Sequence, residues 1–168
     1  GSEGDEESFA RYVYDARGLL VKAANQTSVV ERAYDAVGRL VREARDEHAI
    51  ESEYDSLGNR VLRRSKVKRP GPPRPFTSPF LQQETRFAWD ANSQIGEIGW
   101  GESTNAGTAA PAHALRFSYD ARQDEVARRL SGEVSVEQTI DPRGRRQAQS
   151  VRRTGAPGES PVVSRQYA

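Results

Sequence analysis

The stretch Tyr34-Asp35-Ala36-Val37-Gly38-Arg39-Leu40 decides the fold, because it recurs 20 residues earlier as Tyr14-Asp15-Ala16-Arg17-Gly18-Leu19-Leu20 and 20 residues later as Tyr54-Asp55-Ser56-Leu57-Gly58-Asn59-Arg60. Self-similarity at a fixed period is the signature of a repeat architecture. In each copy Asp opens and Gly closes a four-residue turn. The Asp carboxylate can accept backbone N–H groups just ahead of it, and Gly can take the left-handed conformation that closes a hairpin with a bulge. Tyr therefore ends one strand, and the residues after Gly begin the next.

Looser copies follow at Trp89-Asp90-Ala91-Asn92-Ser93, Tyr119-Asp120-Ala121-Arg122-Gln123 and Ile140-Asp141-Pro142-Arg143-Gly144, with Tyr167 placed to open another. All six copies keep Asp and four keep Gly. A residue with a Cβ loses roughly 1–2 kcal/mol in the left-handed region. The turns at Ser93 and Gln123 are therefore expected to be looser or of another type. Pro142 suits the fixed φ at the second position of a type I turn.

Residues two and four before each repeat aromatic share a strand face with it. They include Ala10, Tyr12, Val30, Ile50, Phe87, Leu115, Phe117 and Val136, which predicts a partly apolar face with the repeat aromatic at its end. Each 20-residue unit then reads as two strands of about six residues. The organisation expected is a disordered acidic tail or tag at 1–8, three regular repeats at 9–65, a Pro-rich basic loop at 66–83, and degenerate repeats at 84–151 interrupted by a flexible loop at 101–113. A Pro/Gly loop at 152–161 and the start of a truncated further repeat at 162–168 complete it. The fold class expected is all-β: an antiparallel β-hairpin repeat ribbon of about a dozen strands, curled because open sheets that wide tend to curl, and with two unpaired edges that favour self-association in isolation.

Hydrophobic residues make up 35% of the 168, below the roughly 45–50% of globular domains, so the apolar supply is thin. A net charge of +1 gives no global attraction to nucleic acid or membrane, although Glu3, Asp5, Glu6 and Glu7 make the start acidic and the middle is basic. Cysteine is absent, which leaves no disulfide framework and no thiolate metal site. No apolar run approaches a membrane span and no signal-peptide pattern occurs. Methionine is missing even at position 1, and the chain reads as an excised or processed piece with Gly1-Ser2 as a cloning scar.

The motif Tyr-Asp-x-x-Gly-Arg-Leu, complete at Tyr34 to Leu40 and close at Tyr14 to Leu20, resembles the YD-repeat family, and Tyr54 to Val61 resembles its Tyr-Asp-x-x-Gly-Asn-Arg-Val variant. These are the repeats of bacterial Rhs proteins, of shell components of insecticidal ABC-type toxin complexes, and of teneurins. The resemblance covers about residues 9 to 147. It implies a β-sheet ribbon spiralling into a hollow cocoon that encloses a C-terminal toxin or other polypeptide cargo. Secretion or export is implied, with adjoining YD repeats and the cargo as partners. Asp141-Pro142-Arg143-Gly144 matches only the first letters of the family's aspartyl self-cleavage segment, and its surroundings read as an ordinary repeat turn.

Asp15, Asp35, Asp55, Asp90, Asp120 and Asp141 sit one per turn with no second ligand fixed beside them, which favours turn capping over a ladder of hard cations. Tyr14, Tyr34, Tyr54, Trp89 and Tyr119 are expected to stack along adjacent hairpins rather than on sugars or bases. The basic stretch Arg60, Arg63, Arg64, Lys66, Lys68, Arg69 and Arg74 contains no acid before Glu84. It is a candidate polyanion or glycan site, with a solvated loop that discourages edge pairing as the simpler reading. His48 and His113 are isolated, and no nucleophile elbow or phosphate loop occurs. The expectation is a non-catalytic shell segment with no cofactor and no metal. The alternatives are a carbohydrate- or polyanion-binding YD-repeat module at a cell surface, or a small partner pairing with a larger Rhs shell.

Overall fold

The computed structural model describes residues 10–69, 71–72, 80–103, 111–131, 134–153 and 163–167. Among these there are thirteen strands and no helix: β1 (Arg11–Tyr14), β2 (Leu20–Ala24), β3 (Val29–Tyr34), β4 (Leu40–Arg45), β5 (His48–Tyr54), β6 (Arg60–Lys68), β7 (Phe80–Trp89), β8 (Ile95–Glu102), β9 (His113–Tyr119), β10 (Glu125–Leu130), β11 (Val134–Ile140), β12 (Arg146–Arg153) and β13 (Val163–Gln166). Strand order in the sheet follows chain order, so each strand pairs with its neighbours in sequence. The fold is all-β and antiparallel, a ribbon of successive hairpins. It divides into two compact units, Gly1–Glu84 with Glu102–Asn105, and Thr85–Gly101 with Ala106–Ala168.

In the first unit β1, β3 and β5 end at Tyr14, Tyr34 and Tyr54, and β2, β4 and β6 begin at Leu20, Leu40 and Arg60. The register slips between Val13 and Tyr14, Ala33 and Tyr34, and Glu53 and Tyr54. This is the bulge that accompanies the left-handed Gly18, Gly38 and Gly58, at φ of 80°, 87° and 91°. At the other end of the β3–β4 hairpin, left-handed Asp46 (φ 52°) donates its N–H to the Val29 carbonyl at 3.3 Å and accepts the Val29 N–H on its carboxylate at 3.3 Å. Charged residues occupy both faces. Arg42, Glu51 and Arg64 lie in one cross-strand row, and Arg32 pairs with Glu43 on the opposite side. Leu62 is the one buried hydrophobic residue among those described, at 6% exposure.

The basic stretch is not a loop over its whole predicted length. β6 continues to Lys68 because Ser65 and Lys66 find ladder partners in Ile50 and Ala49, and β7 resumes at Phe80. Of the segment 66–83, residues 70 and 73–79 lie outside the described residues, as do the predicted tail at 1–8, most of the loop at 101–113 and nearly all of that at 152–161. Gly101 and Glu102 close β8, His113 opens β9, and Arg152 and Arg153 close β12.

In the second unit Trp89, Tyr119 and Ile140 end β7, β9 and β11. Gly144 is left-handed at φ 78°, and so are Ser93 at 58° and Gln123 at 68°. The turns at Ser93 and Gln123 are not looser: the Ser93 N–H donates to the Asp90 carbonyl at 3.1 Å and the Gln123 N–H to that of Asp120 at 2.9 Å, as Gly144 does to Asp141 at 2.9 Å. The strain of a Cβ is outweighed by the extra backbone donors that each Asp carboxylate gathers around the turn.

Here apolar residues gather on one face. It carries the rows Ile98, Leu115, Leu130, Val134, Arg153 and Phe117, Arg128, Val136, Val151, Val163, with the polar row Gln138, Gln149, Arg165 beyond them. The other carries Glu97, Arg116, Arg129, Ser135, Arg152 and small residues such as Ser118 and Ala127. The apolar rows remain half-exposed, and Leu130 and Val163 keep 41% and 43% of their surface in contact with solvent. Pro111 packs directly over Gly99, where a Cβ would stand 2.6 Å from the proline ring.

Candidate functional site: the turn row and the basic strand

Each repeat Asp organises its turn in the same way. Oδ1 of Asp15, Asp35, Asp55, Asp90, Asp120 and Asp141 accepts the backbone N–H groups two and four residues ahead, at 2.8–3.1 Å. Oδ2 takes a side-chain donor in several turns: Arg17 Nε at 3.0 Å, Arg39 Nε at 2.6 Å, Asn59 Nδ2 at 3.1 Å and Arg145 Nε at 2.8 Å. The carboxylates are thus engaged by donors of their own turn. No group of three metal-ligating side chains occurs among the described residues.

These bonds favour the ionised carboxylate. The Leu19 N–H holds Asp15 below the usual carboxylate range, the Asp124 N–H does the same for Asp120, and the Arg145 N–H for Asp141. For Asp35 and Asp55 partial desolvation pushes the other way and is outweighed, by the Arg39 N–H and guanidinium and by the Asn59 N–H and amide. Asp141 is buried at 6% exposure.

Neighbouring turns are tied to one another. In the first unit Arg17 Nη1 donates to the Asp35 carbonyl at 2.8 Å and Arg39 Nη1 to the Asp55 carbonyl at 2.9 Å. In the second, Gln94 Nε2 reaches the Gln123 carbonyl at 2.9 Å and Arg122 Nη1 the Asp141 carbonyl at 3.0 Å. One donor per turn, sent forward to the next, makes a ladder along the turn edge of each unit.

The repeat tyrosines send a second link backward. The hydroxyls of Tyr34, Tyr54 and Tyr119 donate to the carbonyls of Leu20, Leu40 and Ile95, at 3.0, 2.9 and 2.8 Å. Each carbonyl belongs to the residue that opens the second strand of the preceding hairpin. Where the aromatic is replaced by Ile140, Gln138 supplies the link instead, its Nε2 donating to the carbonyl of Glu125, the residue that opens β10. At Tyr54 two guanidinium groups lie over the ring, Arg39 at 4.8 Å and Arg60 at 5.7 Å from its centroid. Tyr14, on the first described strand, is 58% exposed.

The basic residues separate by strand parity. Arg64, Lys66 and Lys68 share the face of Glu51, and Arg63 lies on the opposite face, paired in register with Ser52. Arg69 follows the strand. Arg64 bonds Glu53 at 2.8 Å and Glu84 at 3.1 Å, and Lys68 bonds Glu47 at 2.7 Å. Glu84, then Glu53, raise the pKa of the Arg64 guanidinium further. The stretch is acid-free along the chain but not in space. The ladders, the tyrosine links and these acids depend on cross-strand neighbours about 11 to 29 residues away, which only the exact register reveals.

No protein-family model matches the chain, and no curated protein matches it. Among solved structures it is similar to a chain of TcdB2-TccC3-Cdc42, at 12% identity and a TM-score of 0.53, over 92% of this chain and 9% of that one. It is similar also to a chain of the Photorhabdus luminescens Tc holotoxin pore, at 14% identity and a TM-score of 0.48, over 84% of this chain and 9% of that one. The likeness to TcdB2-TccC3 is one of fold, and it places the hairpin ribbon beside a short stretch of a much longer toxin-complex chain.

Proposed function

We propose that the chain is a length of YD-repeat wall in an exported shell that encloses a toxin or other polypeptide, and that its role is structural and non-catalytic. The observation that carries this reading is the bonding between hairpins. Every turn with a described successor in its unit sends a side-chain donor to it, and Tyr34, Tyr54, Tyr119 and Gln138 bond back to the preceding hairpin. Such links specify how one repeat joins the next, which is what an extensible wall requires. The fold likeness to a toxin-complex chain supports the same reading. The half-exposed apolar face of the second unit is the surface that cargo would cover.

A photo-crosslinking residue placed at Phe117 on the apolar face, or at Ser118 on the polar face, tests enclosure in the protein as its own gene produces it. Crosslinks from position 117 to an enclosed polypeptide, with none from 118, are expected. Equal labelling by solvent-borne probes at both positions would overturn the reading.

A further inference from the structure

β1 forms one border of the sheet, and no described strand lies beyond it. A strand in that position presents a row of unpaired backbone groups, and a charge or a proline on it ordinarily keeps other chains away. Tyr12, Val13 and Tyr14, three of the four residues of β1, supply neither, and they are 59%, 49% and 58% exposed. The strand at the opposite border, β13, has Arg165 within its four residues. β1 is therefore the less protected of the two edges.

The backbone groups that β1 leaves open follow from its hairpin. Asp15 N–H donates to the Leu19 carbonyl at 2.9 Å, so Asp15 turns its backbone toward β2. By the alternation of an antiparallel ladder Val13 and Arg11 do the same, and Tyr12 and Tyr14 direct their N–H and C=O groups outward. The Asp15 turn is open as well. The carbonyls of Asp35, Asp55 and Asp141 each accept a guanidinium from the preceding turn, and that of Asp15 has no such donor among the described residues.

We propose that β1 is a docking edge for a second copy of this chain, the two β1 strands pairing antiparallel about a two-fold axis that passes through Val13. This register sets Tyr12 opposite Tyr14 of the second copy, so the residues that meet are those whose backbone groups are open, and both such pairs exchange N–H···O bonds. The tyrosine rings of the two copies gather on one face of the continued sheet. On the other face Arg11 comes opposite Asp15 of the second copy and brings a guanidinium to the turn that lacks one. Each contact is reciprocated across the axis, as a two-fold interface requires. The inference stands on the β1 edge and does not depend on the enclosure of cargo.

Sedimentation equilibrium and disulfide trapping of the full chain test it. The joint is a short ladder, so monomer and dimer should interconvert with concentration. The chain has no cysteine of its own. Across the axis Val13 meets Val13 in a non-hydrogen-bonded pair, with about 4.5 Å between Cα atoms, which a disulfide can span. Val13→Cys should therefore oxidise to a covalent dimer, while Tyr12→Cys and Tyr14→Cys should each crosslink only when mixed with the other. Tyr12→Pro removes an outward N–H but none of those turned toward β2, and should abolish the dimer. Arg11→Glu, which sets like charges opposite each other at both ends of the joint, should weaken it about tenfold. Val163→Lys, on β13, should leave it unchanged. Should Tyr12→Pro fail to fold, the pattern of cysteine crosslinks decides the matter. A chain that stays monomeric, a dimer that survives Tyr12→Pro, or Val13→Cys that crosslinks no better than Tyr12→Cys alone would each overturn the joint, and loss of the dimer on Val163→Lys would overturn it in favour of the β13 edge.

Discussion

The three regular repeats of the first unit close their turns with Gly18, Gly38 and Gly58, yet charged residues lie on both faces of their strands. The second unit closes its turns with Ser93, Gln123 and Gly144, yet it gathers most of its large apolar side chains on one face, interrupted there by Arg128 and Arg153. The sequence motif and the amphipathic pattern are therefore separate properties. Tyr-Asp-x-x-Gly governs where a hairpin turns and how it is tied to the next, while the residues between turns decide what the sheet can face. The better the motif in this chain, the poorer the segregation of the faces it connects.

The largest effect that would break the comparison comes from acid, because it acts on turns in both units at once. Asp15, Asp35, Asp55, Asp120 and Asp141 are all held below their ordinary pKa, about 3.9 in an unfolded chain. Their ionised forms stabilise the fold fully above that unfolded value, and the contribution is lost as pH falls through the lower folded values. The melting midpoint should drop steeply below about pH 4, with turn amides of both units losing protection from exchange over the same range. Loss confined to one unit would show that its turns are held by something other than the carboxylate.

A smaller effect separates Gly from its substitutes. Gly38 has open space around the position of a Cβ, with Leu19 Cδ1 at 3.8 Å the nearest atom, so the penalty in Gly38→Val is one of backbone conformation. It should cost roughly 1–2 kcal/mol, and Gly38→Asn distinctly less. Gln123→Gly, at φ 68°, should move the other way by up to about 1 kcal/mol, part of the gain being offset by the freedom Gly adds to the unfolded chain. Urea denaturation measures all three. Equal midpoints for the Val and Asn variants would remove the left-handed turn as the reason Gly occupies position 38.

Much of this ribbon was legible in the chain because an Asp-x-x-Gly turn is a local object. Its donors, acceptor and left-handed residue lie within five positions, so the strand ends at Tyr14, Tyr34, Tyr54, Trp89, Tyr119 and Ile140 can be read without knowing any partner strand. Ser93 and Gln123 misled, since a propensity penalty counts one residue while the Asp carboxylate gathers backbone donors over the whole turn. The surroundings of the basic stretch were not legible for the opposite reason. Arg64 meets Glu53 and Glu84 from the strands on either side, and no linear pattern places those acids beside it. The cross-strand row Ala44, Ala49, Lys66 likewise exists only in the register of β4, β5 and β6.

The finest test concerns the hydroxyl that ties hairpin to hairpin. Tyr34 and Tyr14 occupy the same motif position in adjacent repeats. Tyr34 is half-buried with its hydroxyl on the Leu20 carbonyl at 3.0 Å, whereas Tyr14 is 58% exposed. Tyr34→Phe removes a donor and leaves a carbonyl short of a partner, a loss of about 1 kcal/mol. Tyr14→Phe removes no hydrogen bond to a described residue and should leave the melting midpoint nearly unchanged. The second unit sharpens the point, because Gln138 does there what a hydroxyl does elsewhere. Gln138→Leu should resemble Tyr34→Phe in size, and Ile140→Tyr should restore part of the loss if the new hydroxyl reaches the Glu125 carbonyl. Should Tyr14→Phe and Tyr34→Phe prove equally mild, the repeat tyrosine would be a matter of ring packing alone, and the joining of one hairpin to the next would rest on the turn-edge donors Arg17, Arg39, Gln94 and Arg122.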